Sequence, residues 1–404
     1  MSGPRVLIVG AGPVGMVCAL ALHRAGVAVT VLEQEPAPVR DQRAATLHPT
    51  TLDMLDDLGV LETIRPRGLV SAVYHFRDRG TGALVAEFDL GLLKDEFRFP
   101  YVLQYEQYKL TRDIAAQFAG ESDFDVRYAH RVEAVRLLPG GVELEVSGPD
   151  GARRHAGSWL IGADGGRSTV RKAAGIAFEG FTYPERFVKL ATPFDFRGPN
   201  PGYVYRNYFS DPDEWCNLFK VRGESEAGIW RAIFPTRPGE TEEQALSAEG
   251  IQARLKKFFP GSGDYEIAYA NVYSVSQRVA ETFRRGRVLL AGDAAHVNNP
   301  IGGMGMNGGI HDAVNLAGKL SRVLVRGESE ALLDRYSRQR RHAAVSYVQA
   351  QTIANKKLME ERDPQVRRRK LDQLRGVAGD VAQARAYMRR AALADSLRDA
   401  AAVT

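Results

Sequence analysis

Val6-Leu7-Ile8-Val9 runs straight into Gly10-Ala11-Gly12-Pro13-Val14-Gly15, and no other stretch restricts the fold of this chain as much. Four apolar residues in a row fit a strand buried on both faces. Gly10 permits the tight turn out of that strand. Gly12 leaves the backbone open to a pyrophosphate, and Gly15 lets the following helix pack close to the strand. The spacing predicts a helix to about Ala25, a stop at Gly26, and a second buried strand from Val27 to Leu32 that ends at Glu33. The helix N-terminus then faces phosphate charge, and Glu33 is placed to accept hydrogen bonds from a ribose. Strand, glycine turn, helix, strand and acid in this order predict a dinucleotide-binding βαβ unit. The same unit accounts for the apolar run from Val6 to Leu32, so neither a membrane span nor a signal peptide is expected.

Two more glycine clusters follow buried strands. After Trp159-Leu-Ile comes Gly162-Ala-Asp164-Gly165-Gly166-Arg167-Ser168, where Asp164 is placed to hold a ribityl or ribose hydroxyl and Ser168 to cap a helix. After Val288-Leu-Leu-Ala291 comes Gly292-Asp293, then His296-Val-Asn-Asn299-Pro300-Ile-Gly302-Gly303-Met-Gly305-Met306-Asn307. Glycines this dense ahead of a helix imply backbone packed against a flat or charged group, with a helix N-terminus near Gly305 to Asn307 stabilising negative charge.

Between these clusters, Pro49 to Leu58 and Gln104 to Phe118 read as helices, and Phe124 to Ser147 as a small antiparallel sheet. Residues 180–275 collect aromatics, among them Tyr203, Tyr205 and Tyr208 beside Arg206, and read as a separate antiparallel sheet. Alternation sets Tyr203 and Tyr205 on one face and Arg206 and Tyr208 on the other. From Met306 onward the chain reads as helical. The formal net charge of +5 lies entirely in residues 362–404, and Arg367 to Lys370 read as a solvated helix face, so no nucleic-acid partner is expected. Cys18 and Cys216 are too few for a disulfide framework, and the scattered histidines offer no metal site. A cytoplasmic setting is the expectation.

The three clusters in this order resemble those of the para-hydroxybenzoate hydroxylase family, the single-component (group A) flavoprotein monooxygenases. The first matches the family's ADP-binding motif. The second matches its DGxxSxxR motif at Asp164, Gly165, Ser168 and Arg171, and the third its Gly-Asp motif with the Pro300 and Gly302-x-x-Gly305-x-Asn307 continuation. The resemblance covers residues 1 to about 345. It implies a mixed α/β fold: an FAD-binding domain (1–70, 101–178 and 276–345), an inserted antiparallel substrate domain (71–100 and 179–275) and C-terminal helices (346–404). It implies FAD held by Gly10, Gly12, Pro13, Val14, Gly15, Glu33, Gln34, Arg43, Gln104, Asp164, Asp293, Pro300, Gly303, Gly305, Met306 and Asn307.

The activity it implies is hydroxylation of an electron-rich phenol-like or heteroaromatic molecule through a flavin hydroperoxide, with NADPH or NADH as electron donor and O2 as oxidant. A homodimer is compatible with it. Alternatives on the same scaffold are an oxidase, an N-hydroxylase or a non-catalytic flavin-binding redox sensor. No catalytic base stands out. His296, Pro300, Tyr203, Tyr205, Arg206 and Asn299 are the candidates near substrate, and His48 reads as structural. Asn298 and Asn299 put extra polar groups close to the expected substrate position.

Overall fold

The computed structural model describes residues 5–40, 43–200, 202–261 and 263–404. Val6–Val9 lies inside a six-stranded sheet, between Val29–Leu32 and Trp159–Gly162. Phe124–Arg127 and Val288–Leu290 extend the sheet in parallel, and Arg284–Arg285 adds an antiparallel edge. The inner strands are buried along their whole length, which is why they are short uninterrupted apolar runs. Their carboxyl ends all open on the same side, where ligands bind in sheets of this kind.

Two helices meet over that edge. Pro13–Arg24 packs against Met304–Arg326, and Val14 sits in the crossing against Gly292 and Gly309. A Cβ on Gly309 would come within 2.6 Å of the Val14 side chain and 3.0 Å of the Gly292 backbone. The crossing is therefore closer than any side chain at residue 309 permits. At the start of the first helix, Gly10 holds φ at +102°, and a Cβ there would meet the Ala163 carbonyl at 2.4 Å. The strand-to-helix turn and the Asp164 segment lie directly against each other.

An eight-stranded sheet stands apart from this one. Its order is His296–Val297, Tyr269–Ala280, Phe178–Thr192, Ile229–Pro235, Cys216–Val221, Arg206–Ser210, Val73–Asp78 and Leu84–Asp89. All neighbours are antiparallel except Arg206–Ser210 with Val73–Asp78. One face carries Tyr74, Phe76, Phe88 and Tyr208. The other carries Phe209, Trp230 and Phe234, which pack on Phe258 of the helix Ala248–Phe258. The C-terminal helices cover the first face: Leu371 and Leu374 of Pro364–Gly379 and Met388 of Val381–Ala391 join its cluster.

The structure departs from the sequence reading in four places. Phe124–Arg127 is not part of the small antiparallel sheet but pairs in parallel with Val29–Leu32, and the antiparallel sheet is Arg131–Leu138, Gly141–Gly148 and Gly151–Gly157. Residue 104 does not begin a helix: Val102–Gln104 is a strand between Thr46–Leu47 and Leu69–Ser71, and the helix is Gln107–Gln117. Strand pairing overrides the four-residue spacing there. Tyr203 and Tyr205 are not in the sheet but in the approach to Arg206–Ser210. Fourth, the basic run is not a uniformly solvated face. Arg368 and Arg369 are exposed, but Arg367 reaches Asp78 at 2.8 Å and pins its helix to the sheet. Among the described residues, no helix is long and apolar enough to cross a membrane.

The tight crossing yields a direct expectation. Gly309→Ala forces a methyl into the Val14 contact and should lower stability by about 1–3 kcal/mol, read by urea denaturation. Adding Val14→Ala should recover part of that loss, because the two sites touch.

Candidate active site

The cleft at the carboxyl edge of the six-stranded sheet is built mainly from backbone. Glu33 ends the second strand, and its carboxylate accepts from the Ala11 N–H (2.7 Å) and the Glu35 N–H (3.0 Å). It is thereby fixed at the mouth of the glycine turn with lone pairs left for ribose hydroxyls. Gly12 is the N-cap of Pro13–Arg24 with no side-chain cap, and a Cβ on it would meet nothing within 4 Å. The first N–H groups of that helix open onto free space, as a pyrophosphate needs. Gln34 beside it is exposed.

Asp293 has solvent access although protein surrounds it, so it lines a cleft. Burial raises its carboxyl above the usual value, against the pull of His296 and Arg43. Gln104 is fully buried. Its Oε1 accepts from the Thr46 hydroxyl at 2.9 Å, while its Nε2 has no partner. A buried amide donor without an acceptor beside Thr46 and Gly303 is what a polar cofactor edge would satisfy. The open turn, the placed carboxylate and the orphaned amide fit FAD.

Other residues expected at the cofactor serve the protein through their side chains. Both Asp164 oxygens are engaged locally, by the Ser168 hydroxyl (2.5 Å) and the Val170 N–H (3.1 Å). Ser168 caps Thr169–Ala173. Arg171 bonds the carbonyls of Ala294 and Gly166 (2.9 Å each), which ties the second glycine cluster to the third. Asn307 is fully buried: its Oδ1 accepts from the His48 N–H at 2.8 Å, and its Nδ2 donates to the carbonyls of Thr46 (2.8 Å) and Gly303 (2.6 Å). Pro300 accepts from the Gly303 N–H at 3.0 Å, closing the turn that begins Met304–Arg326. Gly305 and Met306 lie in the first turn of that helix, which carries no acidic residue.

His296 belongs to a buried ion cluster. Its Nε2 lies 2.8 Å from Asp312, whose other oxygen accepts from Arg340 Nε at 2.6 Å, and Asp312 also accepts from the Gly292 N–H at 3.0 Å. All three side chains are buried. Burial acts to raise the Asp312 carboxyl, yet Arg340 and His296 hold it below the usual carboxylate range. Asn299 is likewise turned inward. It takes the Ile301 N–H on its Oδ1 (3.1 Å), and it bonds the Thr352 carbonyl (2.9 Å) and Gln277 (3.0 Å). Through these bonds both side chains hold the loop from beneath.

A cavity of about 40 Å³ lies between this loop, the eight-stranded sheet and the C-terminal helices. Its walls are Tyr74, Phe76 and Tyr208 from the sheet, Ile301 to Met304 from the loop, and Tyr387, Met388, Ala391 and Ala392 from the last helices. The polar groups are few. Arg206 is 7% exposed, donates to the Tyr208 hydroxyl at 3.0 Å and lies 5.2 Å over the Tyr74 ring. Asn355 joins it, and His48 enters with both ring nitrogens buried, close to the backbone of Gly302 and Ala391. Burial, then the charge of Arg206, pushes His48 down to about 3, so its imidazole is neutral.

Of the residues expected at substrate, only Arg206 lines this cavity. Tyr203 lies behind the sheet, packed on Phe209 and Phe259, with Arg77 over its ring. Tyr205 stays on that side, near Trp230 and Arg197. Alternation does separate the faces, but the chain before residue 206 carries both tyrosines away from the cavity. Sequence reasoning missed His48 as a cavity residue, together with Tyr387 and Met388. The one available signal was the position of His48 just ahead of Pro49, at a helix start.

Removing the centre of the buried ion cluster should be costly. Asp312→Ala strands Arg340 without its counter-charge and should destabilise by about 3–5 kcal/mol, read by thermal or urea unfolding. Because the folded value of Asp312 is depressed, its contribution is complete above the ordinary carboxylate value of 3.8 and fades as pH falls through the lower folded value.

Residues 4–351 match the family model described as FAD binding domain. The chain is 37% identical over 366 residues to a para-nitrophenol 4-monooxygenase of Pseudomonas sp. (strain WBC-3), covering 89% of this chain and 88% of that one. It is 35% identical over 356 residues to the 6-hydroxy-3-succinoylpyridine 3-monooxygenase HspB of Pseudomonas putida, covering 87% and 88%. The crystal structure of the p-nitrophenol 4-monooxygenase PnpA from Pseudomonas putida DLL-E4 superposes with a TM-score of 0.90 at 34% identity, over 97% of this chain and 99% of that one. The likeness therefore runs over nearly the whole length of these enzymes. The chain belongs to the FAD-binding-domain family, within the group A flavin-dependent aromatic hydroxylases.

Proposed function

We propose that this enzyme hydroxylates a compact phenol or hydroxylated nitrogen heteroaromatic, holding the ring in the cavity with its oxygen on Arg206. The observation that carries the reading is Arg206 itself. It is a buried guanidinium in an aromatic cavity whose lining includes no carboxylate among the described residues. A buried cation without a counter-charge is unfavourable, and an anionic ligand oxygen relieves it. The relatives' names, para-nitrophenol 4-monooxygenase and 6-hydroxy-3-succinoylpyridine 3-monooxygenase, support the same substrate size.

The chemistry that FAD supplies when bound is two-electron reduction by NAD(P)H followed by activation of oxygen. The residues of this chain contribute position and exclusion. Glu33 and the glycine turn would hold the ADP half, and Gln104 Nε2 and the N-terminus of Met304–Arg326 would face the ring system. Fixed N–H dipoles there favour negative charge on a reduced cofactor. Tyr74, Phe76, Ile301 and Met388 would keep water from the reacting carbon. Arg206 orients the ring, so that one carbon is presented to the cleft each time. The six-stranded sheet with its helices would form the cofactor domain, and the eight-stranded sheet with the C-terminal helices the substrate domain. A cytosolic setting suits the two buried free thiols, Cys18 and Cys216.

A panel of single-ring phenols, scored by NAD(P)H consumption and product mass, tests the reading, and indifference to every phenol would sink it. Arg206→Gln should raise KM for phenols about 30-fold or more, the loss of one buried charge-assisted contact of about 2 kcal/mol. Glu33→Ala should leave the fold intact by circular dichroism and weaken FAD retention by about tenfold, measured by flavin fluorescence after dialysis.

A further inference from the structure

We propose that Asn355 is a specificity-determining residue, and that the preferred substrate carries, besides its ring hydroxyl, a substituent whose oxygen accepts a hydrogen bond from the Asn355 amide. This deepens the proposed function and rests on its placement of a ring in the cavity.

A chain of three hydrogen bonds sets the direction of that amide. Arg390 Nε can only donate, and it lies 3.1 Å from Gln351 Oε1. Gln351 is thereby turned so that its Nε2 donates to Asn355 Oδ1 at 2.9 Å, one turn further along Ala350–Met359. At the other end the Ile301 carbonyl can only accept, and it takes the Asn355 Nδ2 at 3.2 Å. Both ends of the chain demand the same orientation, so neither amide can be reversed without losing its partners. Asn355 therefore turns its NH2 group, not its oxygen, toward the loop Ile301 to Met304.

An amide NH2 has two hydrogens to give, and the Ile301 carbonyl takes one. Asn355 lines the cavity, and its Nδ2 lies beside residue 302, where a Cβ would come within 2.8 Å of it. Gly302, with φ at +105°, is itself part of the cavity wall. The missing side chain there leaves the amide open to the cavity, and its second N–H is presented to whatever fills it. The other polar groups also give rather than accept. Arg206 has only donors, and the Tyr208 hydroxyl, which accepts from it, keeps its own hydrogen to give. The Tyr74 hydroxyl has no partner. His48 lies against the backbone of Gly302 and Ala391. No carboxylate lines the cavity among the described residues. A buried donor left unpaired is unfavourable, so a ring with oxygen acceptors at two places satisfies this wall and a ring with an alkyl group at the second place does not.

Paired probes of one shape test this. The ortho, meta and para hydroxyacetophenones are each compared with the isopropylphenol of the same substitution, because acetyl and isopropyl groups are alike in shape and only the acetyl oxygen accepts. Binding to the FAD-loaded enzyme is measured by equilibrium dialysis without NAD(P)H. One acetyl isomer should bind about tenfold more tightly than its isopropyl partner, the worth of one buried hydrogen bond. An acetyl group also makes the phenol more acidic, so the deciding quantity is the change of that ratio on mutation. In Asn355→Leu the ratio should fall to about one, while any shift of the loop acts on both probes and cancels. Gln351→Glu keeps an acceptor for Arg390 but removes the donor that turns Asn355. It should lower the ratio too, with the isopropylphenol Kd unchanged. FAD retention reports the fold of both variants, and Gln351→Glu decides if Asn355→Leu does not retain FAD. A ratio undiminished in the deciding variant, or no acetyl preference at any position in the unmodified enzyme, overturns the proposal. If no probe of either series binds, the proposed function fails along with it, whereas binding without acetyl preference removes this inference alone.

Discussion

The carboxylate of Asp312 is the point on which both halves of the site depend. It lies wholly inside the protein and holds three separate segments: the Gly292 N–H at the end of a central strand, His296 in the loop, and Arg340 in the helix Ala331–Ala343. Arg340 also bonds the Gly308 carbonyl at 3.2 Å, within the long helix that carries Asp312. Burying such charges is unfavourable unless every one is answered. Here the arginine and the histidine outweigh the desolvation that would otherwise raise the acid. Gly292 is thereby fixed against Val14, setting the cofactor cleft, and the loop through Ile301 is fixed over the substrate cavity.

One turn of Met304–Arg326 couples the two. Its N-terminus has no side-chain cap, and the Asn307 side chain grips the end of Thr46–Leu47 and the His48 N–H. That grip sets where the His48 ring enters the cavity. A change at residue 307 would therefore disturb the substrate site through the strand end, although the residue has the sequence signature of a cofactor contact.

This division explains what could be read from sequence. The cofactor cleft is made by backbone approach, and backbone approach leaves a local mark in glycine: Gly10, Gly292 and Gly309 each stand where a Cβ would collide with main chain or Val14. Those marks need no knowledge of distant contacts. The cavity has no such mark. Its walls come from residues 48, 74, 206, 301 and 387, which only tertiary packing assembles. Alternation pairs Arg206 with Tyr208, but it cannot say which face the C-terminal helices will cover. Nothing local pairs His296 with Asp312, which is sixteen residues away on another element. Gln104 was assigned to a helix because its pairing with Thr46 and Leu69 is non-local.

What holds the outer wall of the cavity decides how independently it can vary. The C-terminal helices carry conspicuous ion pairs to the sheet region, Arg367 with Asp78 at 2.8 Å and Arg385 with Glu96 at 2.6 Å. These pairs are partly exposed, and such pairs contribute about 0–1 kcal/mol each. Beneath them, Met388 is fully buried, Leu371 and Leu374 nearly so, and the Tyr387 ring stacks on Phe88 at 4.5 Å. Burial of side chains of this size contributes about 1.5–3 kcal/mol each, so apolar packing holds the wall and the charges orient it. The Thr50 hydroxyl adds a single bond to the Ala392 carbonyl at 2.7 Å, fixing the wall's end beside His48. Asn355, Tyr387, Met388, Ala391 and Ala392 all lie beyond the residues of the shared FAD-binding module. The wall of the aromatic cavity can therefore change its side chains without touching the Asp312 cluster or the glycine turns.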